Sequence, residues 1–207
     1  MGNIDRIAGL SGQVSQRQIK PRIIQMHSAS GMFILRPRFS SVVEGVAPTR
    51  YNGGVPFSIR PFEKGDFDTL WRIDQACFDP QLAYSRLELA FYMKRPGAFT
   101  LVAESDGVIL GFIVAESRRK TGHIITIDVI AKARRTGAGS HLLRAAEERL
   151  SNAGAVAVAL ETPVNNLAAI QFYKAHGYFV EKTVAGYYSG QLDALVMSKD
   201  LALAPAK

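Results

Sequence analysis

With 207 residues, 47% of them hydrophobic, and a formal net charge of +7, the chain is long enough for one well-cored domain plus an appendage. No apolar run approaches the ~20 residues that a membrane-spanning helix needs. Cys77 is the single cysteine and excludes an internal disulfide, and His27, His123, His141 and His176 share no metal-ligand spacing, so no metal is expected and all four read as structural or surface residues. A lone thiol expected to be buried and inert favours a reducing compartment, hence a cytoplasmic location.

The charge is uneven. Residues 1–56 hold seven of the 25 basic residues and only two of the 18 acidic ones, with Ser, Gly and Pro scattered through them and no sustained helix or strand period. This segment reads as a basic, weakly ordered N-terminal extension. Its Arg-rich, acid-poor character fits a transit peptide, a tether to polyanions such as rRNA, or a dispensable tail. Residues 57–201 read as the folded domain and 202–207 as a short tail.

From Phe57 onward the element types alternate. A short strand at Phe57–Pro61 precedes a helix from Asp66 to Cys77 and a second from Ser85 to Lys94, ending before Pro96. Strands at Ala98–Glu104 and Val108–Ala115 flank Asp106-Gly107, a strong hairpin signal. A β-branched run, Gly122–Ile130, then leads to a helix from Ala138 to Asn152 that places Leu142, Leu143, Ala146 and Leu150 on one face. A strand at Val156–Leu160, a helix from Leu167 to His176 stopped by Gly177, and closing strands at Tyr178–Val184 and Leu192–Ser198 complete the chain, the last two linked through Gly186–Gly190. The order β-α-α-β-β-β-α-β-α-β-β predicts a single α/β domain with a mixed, mostly antiparallel sheet flanked by helices.

Between the 122–130 strand and the 138–152 helix lies Arg134-Arg135-Thr136-Gly137-Ala138-Gly139. Two glycines allow close backbone approach, the helix start adds positive dipole character, and the arginines supply forked phosphate donors, which together suit a pyrophosphate. Neither a Walker loop nor a Gly-x-Gly-x-x-Gly turn fits this junction. The Arg-x-x-Gly-x-Gly spacing resembles the acetyl-CoA signature of the GNAT N-acetyltransferases. The resemblance extends from about Phe57 to about Leu201 and is greatest to the ribosomal-protein alanine N-acetyltransferase branch, where Val-x-Pro stands in place of Val129-Ile130-Ala131.

That resemblance implies a strand before the loop that carries a bulge and splays from the next strand, opening a slot for pantetheine. It implies the N–H of Val129 as oxyanion donor, Ile130 and Ala131 as partners of the pantetheine amides, and Arg134, Arg135, Thr136, Gly137, Ala138 and Gly139 around the pyrophosphate. Leu160-Glu161-Thr162 is similar to the segment carrying the branch's general base, and Tyr173, twelve residues on, to its general acid. Asn166 matches a cofactor-contacting asparagine, although a helix cap explains it nearly as well. Tyr187 and Tyr188 resemble aromatic residues lining the peptide side of the slot, with Gly186 replacing an asparagine.

The activity implied is acetyl transfer from acetyl-CoA to a primary amine by direct attack, with Glu161 as base and Tyr173 as acid. A protein or peptide N-terminal α-amine is the favoured acceptor. A small amine such as an amino acid, polyamine or aminoglycoside stays open, as does a non-catalytic acyl-CoA-binding regulatory module, because one core serves many acceptors.

Overall fold

The computed structural model describes residues 56–188 and 190–201, so most of the basic extension and the tail expected at 202–207 lie outside the described residues. The chain runs β1 (Ser58–Pro61), α1 (Phe67–Cys77), α2 (Arg86–Met93), β2 (Ala98–Ser105), β3 (Val108–Arg118), β4 (Thr121–Val129), α3 (Ala138–Asn152), β5 (Ala157–Pro163), α4 (Leu167–Ala175), β6 (Phe179–Tyr188) and β7 (Leu192–Asp200). The eleven expected elements are present in the expected order. Short 3₁₀ turns at Lys64–Asp66 and Ala131–Ala133 were not anticipated, being too brief to leave a periodic signal.

Seven strands form one sheet in the order β1-β2-β3-β4-β5-β7-β6. Every neighbouring pair is antiparallel except β4 and β5, which run parallel with α3 as their crossover. The helices fall on opposite faces. Leu142, Leu143, Ala146 and Leu150 of α3 pack with Ile113, Ile124, Ile127, Val158 and Leu160, together with Ala169 and Tyr173 of α4. Leu70 and Ile73 of α1 and Leu89 and Tyr92 of α2 cover Val102, Phe112, Val114 and Ile125 on the other face. Each fully buried Leu or Ile contributes about 1.5–3 kcal/mol relative to exposure, so the sheet is fixed from both sides.

Local signals set the helix ends. Ser85 caps α2 in a capping box with Glu88, and Asn166 caps α4 by accepting the Ala169 N–H at 3.2 Å. Gly137, at φ +97°, turns the chain into α3 through a left-handed conformation that a β-branched residue resists.

Two irregularities of β4 decide what the fold can do. Val114 pairs with Thr126 but Ala115 pairs with Ile124, so Ile125 is an extra residue, a β-bulge. Pairing with β5 covers only Thr121–His123 against Ala157–Ala159. Beyond His123 the two parallel strands part, and β5 keeps its bonds to β7 alone through Pro163.

Candidate active site

The slot opens where β4 leaves β5, and each wall has a backbone component. Ile130 donates its N–H to Leu110 at 2.9 Å, so those two residues form a hydrogen-bonded pair. By antiparallel alternation Val129, opposite Gly111, turns its own N–H and carbonyl away from β3 and toward the unpaired side. The Val129 carbonyl is claimed by Arg134, whose Nε donates at 3.1 Å, and it also lies 3.5 Å from the Cys77 thiol. Ile130 differs from the expectation of a pantetheine partner, since its N–H is committed to β3 and its carbonyl accepts the Ala133 N–H in the 3₁₀ turn that begins at Ala131.

The glycine-rich loop follows. Arg135 (φ 61°) and Gly137 both adopt left-handed backbone conformations, and Thr136 Oγ1 donates to the Ala133 carbonyl at 2.7 Å. Ala138 and Gly139 open α3, whose first-turn N–H groups have no intrahelical acceptors. Arg135 is exposed at this turn. Arg134 departs from the picture of a forked donor aimed outward. Its guanidinium turns back to cap Val129 and approaches the Cys77 sulfur at 3.8 Å.

Across the slot, Glu161 stands two residues past Ala159, the last β5 residue paired with β4. Its carboxylate is bonded to His123 Nε2 at 2.9 Å and accepts a hydrogen bond from the Tyr187 hydroxyl. Both the Glu161 and His123 side chains keep only a sixth of their surface in solvent. Nothing in the sequence flagged His123 for this contact. The one available hint was parity, since His123 and Glu161 project on the same sheet face only once the β4–β5 register is known.

Burial, then the Glu161 charge, then Tyr92 and the bond to Glu161 itself, push the Tyr187 phenol above its ordinary range. Tyr187 and Tyr188 sit inside β6, not in a loop after it, because β6 continues past an irregular register between Val184 and Tyr188. Tyr173 is fully buried between Phe172 and Tyr178, with ring centroids 5.3 and 5.4 Å away, and its hydroxyl has no hydrogen-bond partner among the described residues. Burial, reinforced by Tyr188, Asp128 and Glu161, holds this phenol well above its ordinary value and therefore protonated. Asn166 Nδ2 is likewise buried without a partner while its Oδ1 caps α4.

Beneath Val129, Asp128 is buried on the α1 side, bonded to Thr126 Oγ1 at 3.1 Å. The bulge at Ile125 re-phases the strand and sends this carboxyl toward Asp74. Burial, then the Asp74 charge, raises Asp128 well above the carboxylate range. Cys77 is buried and free, and burial with the Asp128 charge pushes its thiol up to about 12, which makes it inert as a nucleophile.

A bulged strand that parts from its parallel neighbour above a glycine-rich helix start is the geometry expected of the GNAT fold. The chain matches the acetyltransferase (GNAT) family over residues 67–178. It belongs to that family. It is 34% identical over 142 residues to an N-acetyltransferase of Methanocaldococcus jannaschii whose own role is uncharacterized, spanning 68% of this chain and 90% of that one. It is 29% identical over 161 residues to an N-alpha-acetyltransferase of Sulfurisphaera tokodaii, spanning 72% and 95%. Among solved structures, the ribosomal-protein alanine N-acetyltransferase of Escherichia coli superposes with a TM-score of 0.64 at 21% identity, over 73% of this chain and 97% of that one. PaiA N-acetyltransferase of Thermoplasma acidophilum, solved in complex with coenzyme A, superposes with a TM-score of 0.61 at 19% identity, over 70% and 98%. The chain is thus a GNAT N-acetyltransferase. Among the described residues of this acetyltransferase no helix is long and apolar enough to cross a membrane.

Proposed function

We propose that this acetyltransferase moves the acetyl group of acetyl-CoA to the α-amine of a protein or peptide N-terminus by direct attack. The observation that carries the reading is Glu161, a carboxylate held by His123 and Tyr187 just past the point where β4 and β5 part. The residues present suit acetyl-CoA. The unpaired edge of β4 offers the Val129 N–H, the turn at Gly137 brings backbone close, and the first turn of α3 presents unbonded N–H groups for phosphate.

In this reading Glu161 accepts a proton from the amine as its nitrogen attacks the thioester carbonyl. The Val129 N–H stabilises negative charge on the carbonyl oxygen, and Tyr173 donates its proton to the departing thiolate. Burial keeps Tyr173 protonated across the working pH range, as a donor requires. Asn166 contributes its unpaired Nδ2 to the cofactor side, while Tyr187 and Tyr188 face the acceptor.

An α-amine suits a single carboxylate base. With a pKa near ~8, roughly a fifth of it is neutral at pH 7.4, against about a thousandth of a lysine near ~10.4. Relatives named as N-alpha-acetyltransferases support the same acceptor class. The basic extension adds polyanion contact to this reading, checked by comparing RNA binding with and without residues 1–55. The acceptor is tested by free-thiol release from acetyl-CoA with short peptides of varied first residue beside a panel of amino acids, polyamines and aminoglycosides. Turnover confined to peptides, and lost when their α-amine is blocked, is the expected result; turnover confined to the small amines overturns the acceptor class.

A further inference from the structure

Behind His123 lies a second carboxylate that the chemistry above does not use. Glu116 on β3 pairs directly with His123 on β4, and His123 pairs with Ala159 on β5, so the three side chains share one face of three adjacent strands. Ala159 projects only a methyl group, which leaves the imidazole room to lean diagonally to Glu161 two residues further along β5. The ring then lies between two carboxylates, with Nε2 at 2.9 Å from Glu161 Oε2 and Nδ1 at 3.9 Å from Glu116 Oε1.

Glu116 is the better fixed of the two acids. Its side chain is 2% exposed, and it is gripped from two directions, by Arg118 Nε at 2.7 Å and Arg95 Nε at 3.2 Å. Arg95 is itself held, with its guanidinium over the rings of Tyr92 and Phe91 at 5.6 and 6.0 Å. The two guanidiniums, one of them held on aromatic rings, fix the Glu116 carboxylate in place on the Nδ1 side of His123. An imidazole bonded through Nε2 to one carboxylate, with a second carboxylate on its Nδ1 side, has its ring plane and the direction of its bond to Glu161 set by both groups.

We propose that Glu116 is a positioning residue for acetyl transfer: across β3 and β4 it orients the His123 imidazole, and through it holds the Glu161 carboxylate where it accepts the proton of the attacking amine. This rests on the assignment of Glu161 as base. The charged and titratable groups that bear on His123 are Glu161 from β5, Glu116 and Arg118 from β3, Arg95 from the end of α2, and Tyr187 of β6 through its bond to Glu161.

The experiment compares E116Q, R118Q and H123Q with wild type by kcat, KM for acetyl-CoA and the pH profile of kcat. E116Q lowers kcat on the order of tenfold, less than the hundredfold that a full misplacement of about 1 Å costs, and leaves KM for acetyl-CoA unchanged. Removing the Glu116 charge makes the Glu161–His123 pair harder to protonate, so the acid limb of kcat moves to lower pH. Removing Arg118 moves it to higher pH. Because Arg118 is more than half exposed, R118Q retains the fold even if E116Q does not. In the H123Q background the Glu116 change adds no further loss.

A readout free of turnover separates this from the functional reading. The Nε2–H resonance of His123, protected from water exchange in wild type by its bond to Glu161, broadens in E116Q and in E161Q and persists in R118Q. A lower thermal midpoint for E116Q with an unchanged pH profile and an unchanged His123 resonance would make Glu116 a strut between α2 and the β3–β4 turn, and the proposal would fail. If no amine is acetylated by wild type, the functional reading fails while the resonance still decides whether Glu116 positions His123.

Discussion

In the proposed mechanism the α3 side of the slot works through consecutive backbone groups, whereas the α2 side works through side chains drawn from separate strands. Val129 and the Arg134–Gly139 loop follow one another along the chain. Glu161, His123, Glu116 and Tyr187 come from β5, β4, β3 and β6 and meet only because the sheet sets their register. The first construction tolerates change in side chains but not in φ; the second tolerates neither the loss of a carboxylate nor a slip of one residue, which would send each group to the opposite face.

The largest expected effect is on the second side. In the proposed mechanism Glu161→Gln keeps the shape of the residue but removes the base and the charge that holds His123, and kcat is expected to fall ~10²–10⁴-fold. The loss is greatest at low pH, where the amine is mostly protonated, and shrinks as pH rises and neutral amine becomes plentiful. A pH–rate profile at saturating acetyl-CoA measures it, and a uniform loss at all pH values would reduce Glu161 to a positioning role.

Tyr173→Phe tests the point where the two sides meet. Its buried hydroxyl has no partner among the described residues, so its removal leaves no orphaned group and the fold is spared. We expect kcat to fall about 10²-fold with acetyl-CoA affinity retained, and high pH not to rescue it, because the defect lies in protonating the thiolate. Wild-type turnover in this variant would assign Tyr173 to packing against Phe172 and Tyr178 alone.

Gly137→Val isolates the backbone side. At φ +97° a β-branched residue meets about 1–3 kcal/mol of strain, so the turn opens or shifts and acetyl-CoA binding weakens roughly ten- to a hundredfold. Calorimetry on the folded variant checks it. Unchanged affinity would show that the pyrophosphate does not use this loop.

The same contrast explains what the sequence could show. The loop, the amphipathic face of α3 and the Asn166 cap are local patterns, written within a dozen residues, and they were legible. The place of Glu161 near the end of β5 was legible because it follows an apolar run. His123 was not, since a histidine beginning a β-branched strand carries no mark of a partner 38 residues away. Arg134 misleads for a related reason. Its place in the motif suggests an outward fork, but the Val129 carbonyl, stripped of a strand partner by the bulge and splay, draws the guanidinium inward. Tyr187 and Tyr188 read as loop because Gly186 and Gly190 bracket them, whereas cross-strand pairing with β7 carries β6 on through Tyr188.

The smallest expected effect concerns the carboxyl that lies beneath Val129. Asp128 is held well above the carboxylate range by burial and by Asp74, so the folded chain binds its proton more tightly than the unfolded chain does. Stability therefore falls as pH rises from the ordinary carboxylate range through the raised value, and above it the fold bears the full cost of an ionised group with one unbonded oxygen. Asp128→Asn keeps an acceptor for Thr126 and removes the titration. Its thermal midpoint should exceed wild type by about 2–4 °C at a pH above the raised value, an increment on the order of 1 kcal/mol for a chain of this size, and by less at a pH below it. Thermal unfolding at the two pH values measures it. Because the neutral variant leaves the Val129 N–H where it is, kcat should stay close to wild type; a large fall in kcat would move Asp128 from the foundations of the slot into its chemistry, and the backbone side would then no longer act through backbone alone.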